Sequence, residues 1–228
     1  MPAEGLREIN DSKDGKQSRE AFQPAASGKL LLLSGGHNII EPAFSLGGNA
    51  RMMQVKAMSR IIVIGSPGAG KSTFARRLRD ISGLPLYYLD MIYHRSDMTT
   101  VSREEFDEKL ERILETERWI IDGNYRRTLQ LRLEKCTDVF LFDLPAEVCL
   151  KGACERVGKI REDMPWTEDR LDPEFRQYIL DFPKDQLPEI YEMTERYRGS
   201  VSVTVFHARD EADEWIEKQG SLTEERSH

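Results

Sequence analysis

Gly65-Ser66-Pro67-Gly68-Ala69-Gly70-Lys71-Ser72 fits the phosphate-loop pattern GxxxxGK[ST] at every fixed position, and Thr73 follows it. Glycines at these places let backbone N–H groups turn inward around phosphate oxygens, and a helix beginning inside the loop adds its partial positive charge. Lys71 is then the residue that reaches the β- and γ-phosphates, and Ser72 offers its hydroxyl to Mg²⁺. Such a site needs a further carboxylate near the end of a neighbouring strand. Two residues compete for that place. Asp122 closes Trp119-Ile120-Ile121-Asp122-Gly123 and has no apolar role there, whereas Asp143, after Phe140-Leu141-Phe142, is followed by Leu144-Pro145 and also suits a helix cap. The pattern favours Asp122. A third acid, Asp90, ends Leu86-Tyr87-Tyr88-Leu89-Asp90, where it would accept or orient the proton of an acceptor hydroxyl or, alternatively, cap the next turn.

These residues are only useful if strands and helices bring them together, and from residue 58 onward the sequence alternates the two regularly. Ile61–Ile64 reads as a buried strand, followed by the glycine-rich turn and a helix through Leu78. Further strands are expected at Leu86–Leu89, Trp119–Ile121, Val139–Phe142 and Val201–Phe206. Ser102 and Glu105 have capping-box spacing at the head of a helix whose Phe106, Leu110, Ile113 and Leu114 share a face, and Glu105 with Lys109 and Glu108 with Arg112 add i,i+4 pairs. Other helices are expected at 128–133, 146–157, 173–181, 188–198 and 211–218. Strand-helix alternation requires crossover connections, hence a mainly parallel sheet covered on both faces.

Composition narrows the rest. Of 228 residues, 39% are hydrophobic and 32% charged, mean hydropathy is -0.55, and no apolar run approaches the ~20 residues that cross a bilayer. The net charge of -7 argues against broad neutralisation of a nucleic-acid backbone, so any phosphate must be met by a focused site. Cys136, Cys149 and Cys154 form no CxxC pair, which points to a reducing cytoplasm rather than a disulfide framework. Residues 1–57 have little apolar periodicity beyond Leu30–Leu33 and are expected to be a disordered extension. Residues 58–220 then form the domain, and 221–228 a flexible tail.

With the motifs placed, the chain over about residues 60–217 resembles the adenylate-kinase-like P-loop kinases, and among them the bacterial DNA topology modulation protein group. The resemblance rests on the loop from Ile64 to Thr73, on Leu89-Asp90 with Tyr93 and His94, and on Asp122-Gly123-Asn124-Tyr125. Leu141-Phe142-Asp143-Leu144-Pro145, Arg161-Glu162-Asp163-Met164 and Phe182-Pro183 complete it. It implies an α/β three-layer P-loop fold with a five-stranded parallel sheet of order 2-3-1-4-5, a helical lid at about 151–172, ATP as donor and Mg²⁺. It carries Lys71 and Ser72 over as loop residues, with Asp122 on the metal side and Asp90 on the acceptor side. The chain departs from the nucleoside monophosphate kinases where they carry a Gly-Phe-Pro-Arg type segment, which leaves the acceptor open.

Lys151, Arg156, Lys159, Arg161 and Arg170 are the basic residues in or beside the lid, and Arg156 and Arg161 are expected to neutralise charge on a migrating phosphoryl group. Arg126 and Arg127 either hold an acidic acceptor or cap a turn. His94 is expected to face solvent, and Trp166 and Tyr178 to pack the lid. The sequence thus points to a small-molecule kinase, monomeric or homodimeric, with neither membrane nor direct nucleic-acid contact. The competing reading is a nucleotide-binding regulatory protein that uses the same loop as a switch. Asp90 and the lid cations favour the enzyme, because a switch needs no acceptor side.

Overall fold

Four consecutive apolar residues, Ile61, Ile62, Val63 and Ile64, are wholly buried within β1 (Arg60–Gly65), and their alternation sets the architecture. Ile62 and Ile64 join one core with Phe106, Leu110 and Leu114 of α3 (Arg103–Leu114) and with Leu129 and Leu133 of α4 (Leu129–Leu133). Ile61 and Val63 join the opposite core, with Phe74 and Leu78 of α1 (Lys71–Ser82), Cys149 and Ala153 of α5 (Ala146–Glu155) and Ala212 and Ile216 of α8 (Arg209–Glu224). A strand buried on both faces needs helices on both faces. Each fully buried Leu, Ile or Phe contributes roughly 1.5–3 kcal/mol to that packing.

The computed structural model describes residues 58–224, with side chains to 219. The expected extension 1–57, with its Leu30–Leu33 cluster, lies outside the described residues, as does the end of the expected tail, while α8 runs to Glu224. The sheet comprises β1, β2 (Leu86–Tyr88), β3 (Trp119–Asp122), β4 (Asp138–Phe142) and β5 (Ser202–Phe206), all parallel, in the order β2-β3-β1-β4-β5. This is the expected strand order. Because β1 sits between β3 and β4, a crevice opens at their carboxyl ends, where the loop after β1 and the segment after β3 meet.

The N-cap half of the capping box forms: Ser102 accepts from the Glu105 amide at 3.1 Å, while the Glu105 carboxylate accepts from Lys109 at 2.8 Å and Arg95 at 2.9 Å. Several boundaries shift by a few residues, and two of the shifts matter most. Pairing of β2 with β3 ends at Tyr88 opposite Asp122, and the chain turns at once into a short helix, α2 (Leu89–Tyr93). Asp90 therefore lies in a first helical turn rather than at a strand end. Farther on, α6 (Pro173–Asp185) runs through Pro183, because Phe182 and Ile179 are buried and hold the turn that the proline weakens. The next helix, α7 (Leu187–Glu195), follows almost directly. Between α5 and α6, residues 156–172 are turns and bends, so the lid region takes its helical part from the end of α5.

Candidate functional site

The phosphate loop, residues 65–70, joins β1 to α1 and borders a cleft of about 1670 Å³. Its backbone is held from three sides. Gly65 donates its amide to Asn124 Oδ1 at 2.9 Å, Ser66 donates to the Phe142 carbonyl at 3.0 Å, and Arg209 donates to the Gly68 carbonyl at 2.9 Å. Gly65 has φ +126°, and a Cβ there would meet the Phe142 carbonyl oxygen at 2.1 Å, so no larger residue fits. At Gly152, on α5, a Cβ would meet both Arg209 and the Gly68 carbonyl, which explains why α5 can pack its backbone against the loop. The first turn of α1 carries no acid, and its free amide ends open toward the loop.

Lys71 donates to the Ser66 carbonyl at 2.9 Å, and burial pushes its pKa down while Asp122 opposes the shift. Asp122 is 5% exposed, and its Oδ1 has no hydrogen-bond partner. Burial pushes its carboxyl up to about 6, against the pull of Lys71 and the Ser72 hydroxyl. A desolvated carboxylate with an unpartnered oxygen beside a serine hydroxyl has the donor chemistry that a hard divalent cation takes. Among the described residues no group of three or more His, Cys, Asp or Glu is arranged to hold a metal, so a cation here needs water and phosphate oxygens as well. Asp143, the rival, is absent from the residues that line the cleft. It accepts from Tyr191 at 2.7 Å and lies 3.6 Å from His207 Nδ1.

Asp90 lines the same cleft, and its Oδ1 accepts from the Tyr125 hydroxyl at 2.9 Å. Tyr125 is built for that reach: φ +33° turns it back, and its ring stacks on Phe106 at 5.0 Å. Burial and the nearby Asp90 carboxylate both raise its phenol well above the ordinary value, so it stays a donor at any physiological pH. The backbone beneath is fixed by Arg132, wholly buried, which donates to the Gly123 carbonyl at 2.8 Å, the Tyr125 carbonyl at 3.0 Å and the Asn124 carbonyl. Burial lowers Arg132 to about 9, which leaves it charged at neutral pH.

From the other side come Arg156 and Arg161. Arg156 lies 3.4 Å from Glu168 and over the Phe175 ring at 5.3 Å, and Arg161 lies 3.8 Å from Glu168 and 3.8 Å from Asp163. Burial, then Arg161, lowers the Arg156 pKa. Lys159 and Arg170 also line the cleft, but Lys151 does not: it is exposed on α5 and lies 4.0 Å from Glu155. Arg126 lines the cleft and is paired with Glu189 at 2.6 Å, whereas Arg127 lies outside it and grips Asp107 at 2.8 Å.

His94 differs from expectation. Its ring meets Trp166 edge-on at 4.9 Å, burial lowers its pKa, and its Nδ1 is buried without a hydrogen bond. Trp166 and Tyr178 pack the lid side as expected, Tyr178 stacking on Phe175 at 6.2 Å. Sequence reasoning gave no role to Asn124, Arg132, Asp163 or Arg209. Asn124 and Asp163 stand inside segments that carry the family resemblance, and for Arg132 the signal is a lone arginine inside Leu129-Gln130-Leu131-Arg132-Leu133, since an apolar helix that keeps a charge must give it partners.

No family model matches the chain. It is 25% identical to the adenylate kinase of Thermotoga maritima and 30% identical to that of Thermotoga petrophila, in each case over 183 residues covering 63% of this chain and 80% of the relative. Among solved structures, a shikimate kinase from Acinetobacter baumannii in complex with shikimate aligns with TM-score 0.49 and 17% identity over 76% of this chain and 97% of the other. A gluconokinase from Sinorhizobium meliloti aligns with TM-score 0.45 and 15% identity over 74% and 94%. No helix among the described residues is long and apolar enough to cross a membrane.

Proposed function

The chain belongs to the adenylate-kinase-like P-loop kinases, and on that premise we propose that it transfers the γ-phosphoryl group of ATP to a small-molecule acceptor, with Mg²⁺. One observation carries the reading. Lys71 and Ser72 on the donor side and Asp90 with Tyr125 on the acceptor side line a single cleft, which a nucleotide switch would not require.

In this reading the loop amides and the α1 N-terminus bind the donor phosphates. Lys71 leaves the Ser66 carbonyl to neutralise the β- and γ-oxygens. Ser72 and Asp122 would hold Mg²⁺, whose chemistry when bound is to offset charge on the phosphate oxygens. Arg156 and Arg161 line the cleft beside Glu168, and both guanidinium groups are placed to offset charge on the migrating group. On the acceptor side Asp90 receives the proton of the attacking hydroxyl, and Tyr125 holds that carboxylate in place. Residues 156–172, through Trp166 and Arg161, exclude water from the cleft.

A coupled assay of ADP release over nucleosides, nucleotides, sugars and small acids tests the proposal, with Lys71→Ala as the blank. Acceptor-dependent ADP release that vanishes in Lys71→Ala is expected. Release that survives the substitution in a folded variant would refute the kinase reading.

A further inference from the structure

Asp122 is not the only carboxylate at Ser72. Asp163 comes from the loop 156–172, 91 positions along the chain, and its Oδ2 accepts the Ser72 hydroxyl proton at 3.0 Å. It is 8% exposed, while its neighbour Glu162 is exposed and lies 3.3 Å from Arg79. The loop therefore turns one acid inward and leaves the next outside. Arg161 Nε stands 3.8 Å from the Asp163 Oδ1, beyond hydrogen-bond reach, so this arginine does not take over the carboxylate.

A serine hydroxyl that gives its proton to a carboxylate leaves its oxygen lone pairs directed elsewhere, and such an oxygen is a ligand for a hard cation. Asp122, with its buried and unpartnered Oδ1, approaches the same hydroxyl from the end of β3. Two buried carboxylates that converge on one hydroxyl repel each other. Lys71 is nearby but donates to the Ser66 carbonyl. A divalent cation held between the pair and nucleotide phosphates would relieve that repulsion.

We propose that Asp163 is the lid's own carboxylate for the nucleotide-bound Mg²⁺, so that the metal, once loaded, strengthens the docking of loop 156–172 on the phosphate loop that the Asp163–Ser72 hydrogen bond already makes. The inference rests on the kinase reading and extends it. Arg161, two residues before Asp163, enters the cleft with the same loop. The cation that neutralises the transferred group is therefore held most firmly in the cleft when the metal is in place.

The test reads metal binding rather than turnover. ADP affinity is measured by calorimetry with and without Mg²⁺ for the full chain and for Asp163→Asn, Asp163→Ala, Asp163→Glu and Asp143→Asn. Tryptic cleavage at Lys159 and Arg161 is followed in parallel. Asp163→Asn is expected to lose about ten- to a hundredfold of the Mg²⁺-dependent tightening, the usual scale for a group that orients a metal's ligands. Its metal-free ADP affinity should change by less than about twofold on the same reasoning. Mg-ADP should slow lid cleavage in the wild type and in Asp143→Asn but not in Asp163→Asn, and Asp163→Glu should recover part of both effects. Should Asp163→Asn fail to fold by its melting curve, Asp163→Ala carries the comparison, and wild-type Mg²⁺ dependence in it together with unaltered lid protection overturns the proposal. A Mg²⁺ effect left intact in folded Asp163→Asn overturns the role of Asp163 and spares the kinase reading. Tighter Mg²⁺ binding in that variant overturns it too, since the acid would then compete with the metal for Ser72. Absence of any Mg²⁺ effect in the wild type overturns the kinase reading itself.

Discussion

Replacing Asp122 by asparagine should make the free protein more stable at neutral pH while removing its response to magnesium nucleotide. The carboxyl is raised by burial from 3.8 to about 6. Between those values the folded protein holds a proton that the unfolded chain has released, so this group's contribution to stability falls as pH rises through the window. Above it, the ionised carboxylate costs the folded state about 3 kcal/mol, at 1.36 kcal/mol per pH unit. At 5% exposure little solvent remains to screen that cost, and the attraction of Lys71 is already contained in the value. Asparagine cannot ionise, but it leaves a buried amide with incomplete hydrogen bonding, which costs about 1 kcal/mol. The net gain of about 2 kcal/mol corresponds to about 4–8 °C in melting temperature for a chain of this size. Thermal melts of both proteins from about pH 4 to about pH 8 measure it, with and without Mg-ADP. Their separation should be widest at the alkaline end and shrink to almost nothing near pH 4, where the folded wild-type group is protonated and the unfolded one, with its pKa of 3.8, is losing its charge. Mg-ADP should stabilise the wild type strongly and the variant weakly. An Asp122→Asn protein that melts at or below the wild-type temperature near pH 8 would refute the argument, because the buried charge would then cost nothing.

Three other substitutions separate the parts of the site. Lys71→Ala should abolish turnover with little change in melting temperature, since its ammonium contacts one carbonyl and contributes no apolar surface to either core. Asp90→Asn should leave Mg-ADP affinity near wild type and lower acceptor-dependent ADP release by about 10²- to 10⁴-fold, the scale of a positioned general base. Loss of nucleotide binding in that variant would move Asp90 to the donor side. Arg132→Leu should destabilise the fold by about 3 kcal/mol in denaturant titrations, because at least three buried or half-buried carbonyls lose their donor at once. A loss under about 1 kcal/mol would mean that those carbonyls find other partners.

What the sequence shows of this molecule follows the range of the physics involved. The run Ile61–Ile64 and the loop after it are local patterns, and their strand, turn and helix form where expected because each is set by neighbours a few residues away. The sheet order is no local pattern and comes from the family resemblance, since strand neighbours are set by segments far apart in the chain. Asp90 was legible as an acid near the sheet's carboxyl edge but misplaced by one element, because Leu89 continues the apolar pattern of β2 while its backbone has already entered α2. Nothing local marks the end of pairing with β3. Tyr88 pairs and Leu89 does not because β3 itself stops at Asp122, which is a fact about another strand.

The same reasoning explains which site residues stayed hidden. Lys71 and Ser72 belong to a motif whose spacing is its chemistry, so a linear pattern suffices. Asn124, Arg132, Asp163 and Arg209 act on backbone or hydroxyl groups that lie from 7 to 141 positions away. An arginine reads as a solvated charge until the carbonyls it serves are placed around it, and Asp163 reads as one more acid in a charge-rich stretch. What distinguishes Asp163 from Glu162 is burial at the phosphate loop, decided by how residues 156–172 fold back after α5. Functional positions that join two distant segments are the ones a sequence conceals. In the proposed mechanism Asp163 joins lid to phosphate loop across 91 positions, so the residue hardest to read is the one on which the order of events in the cleft would depend.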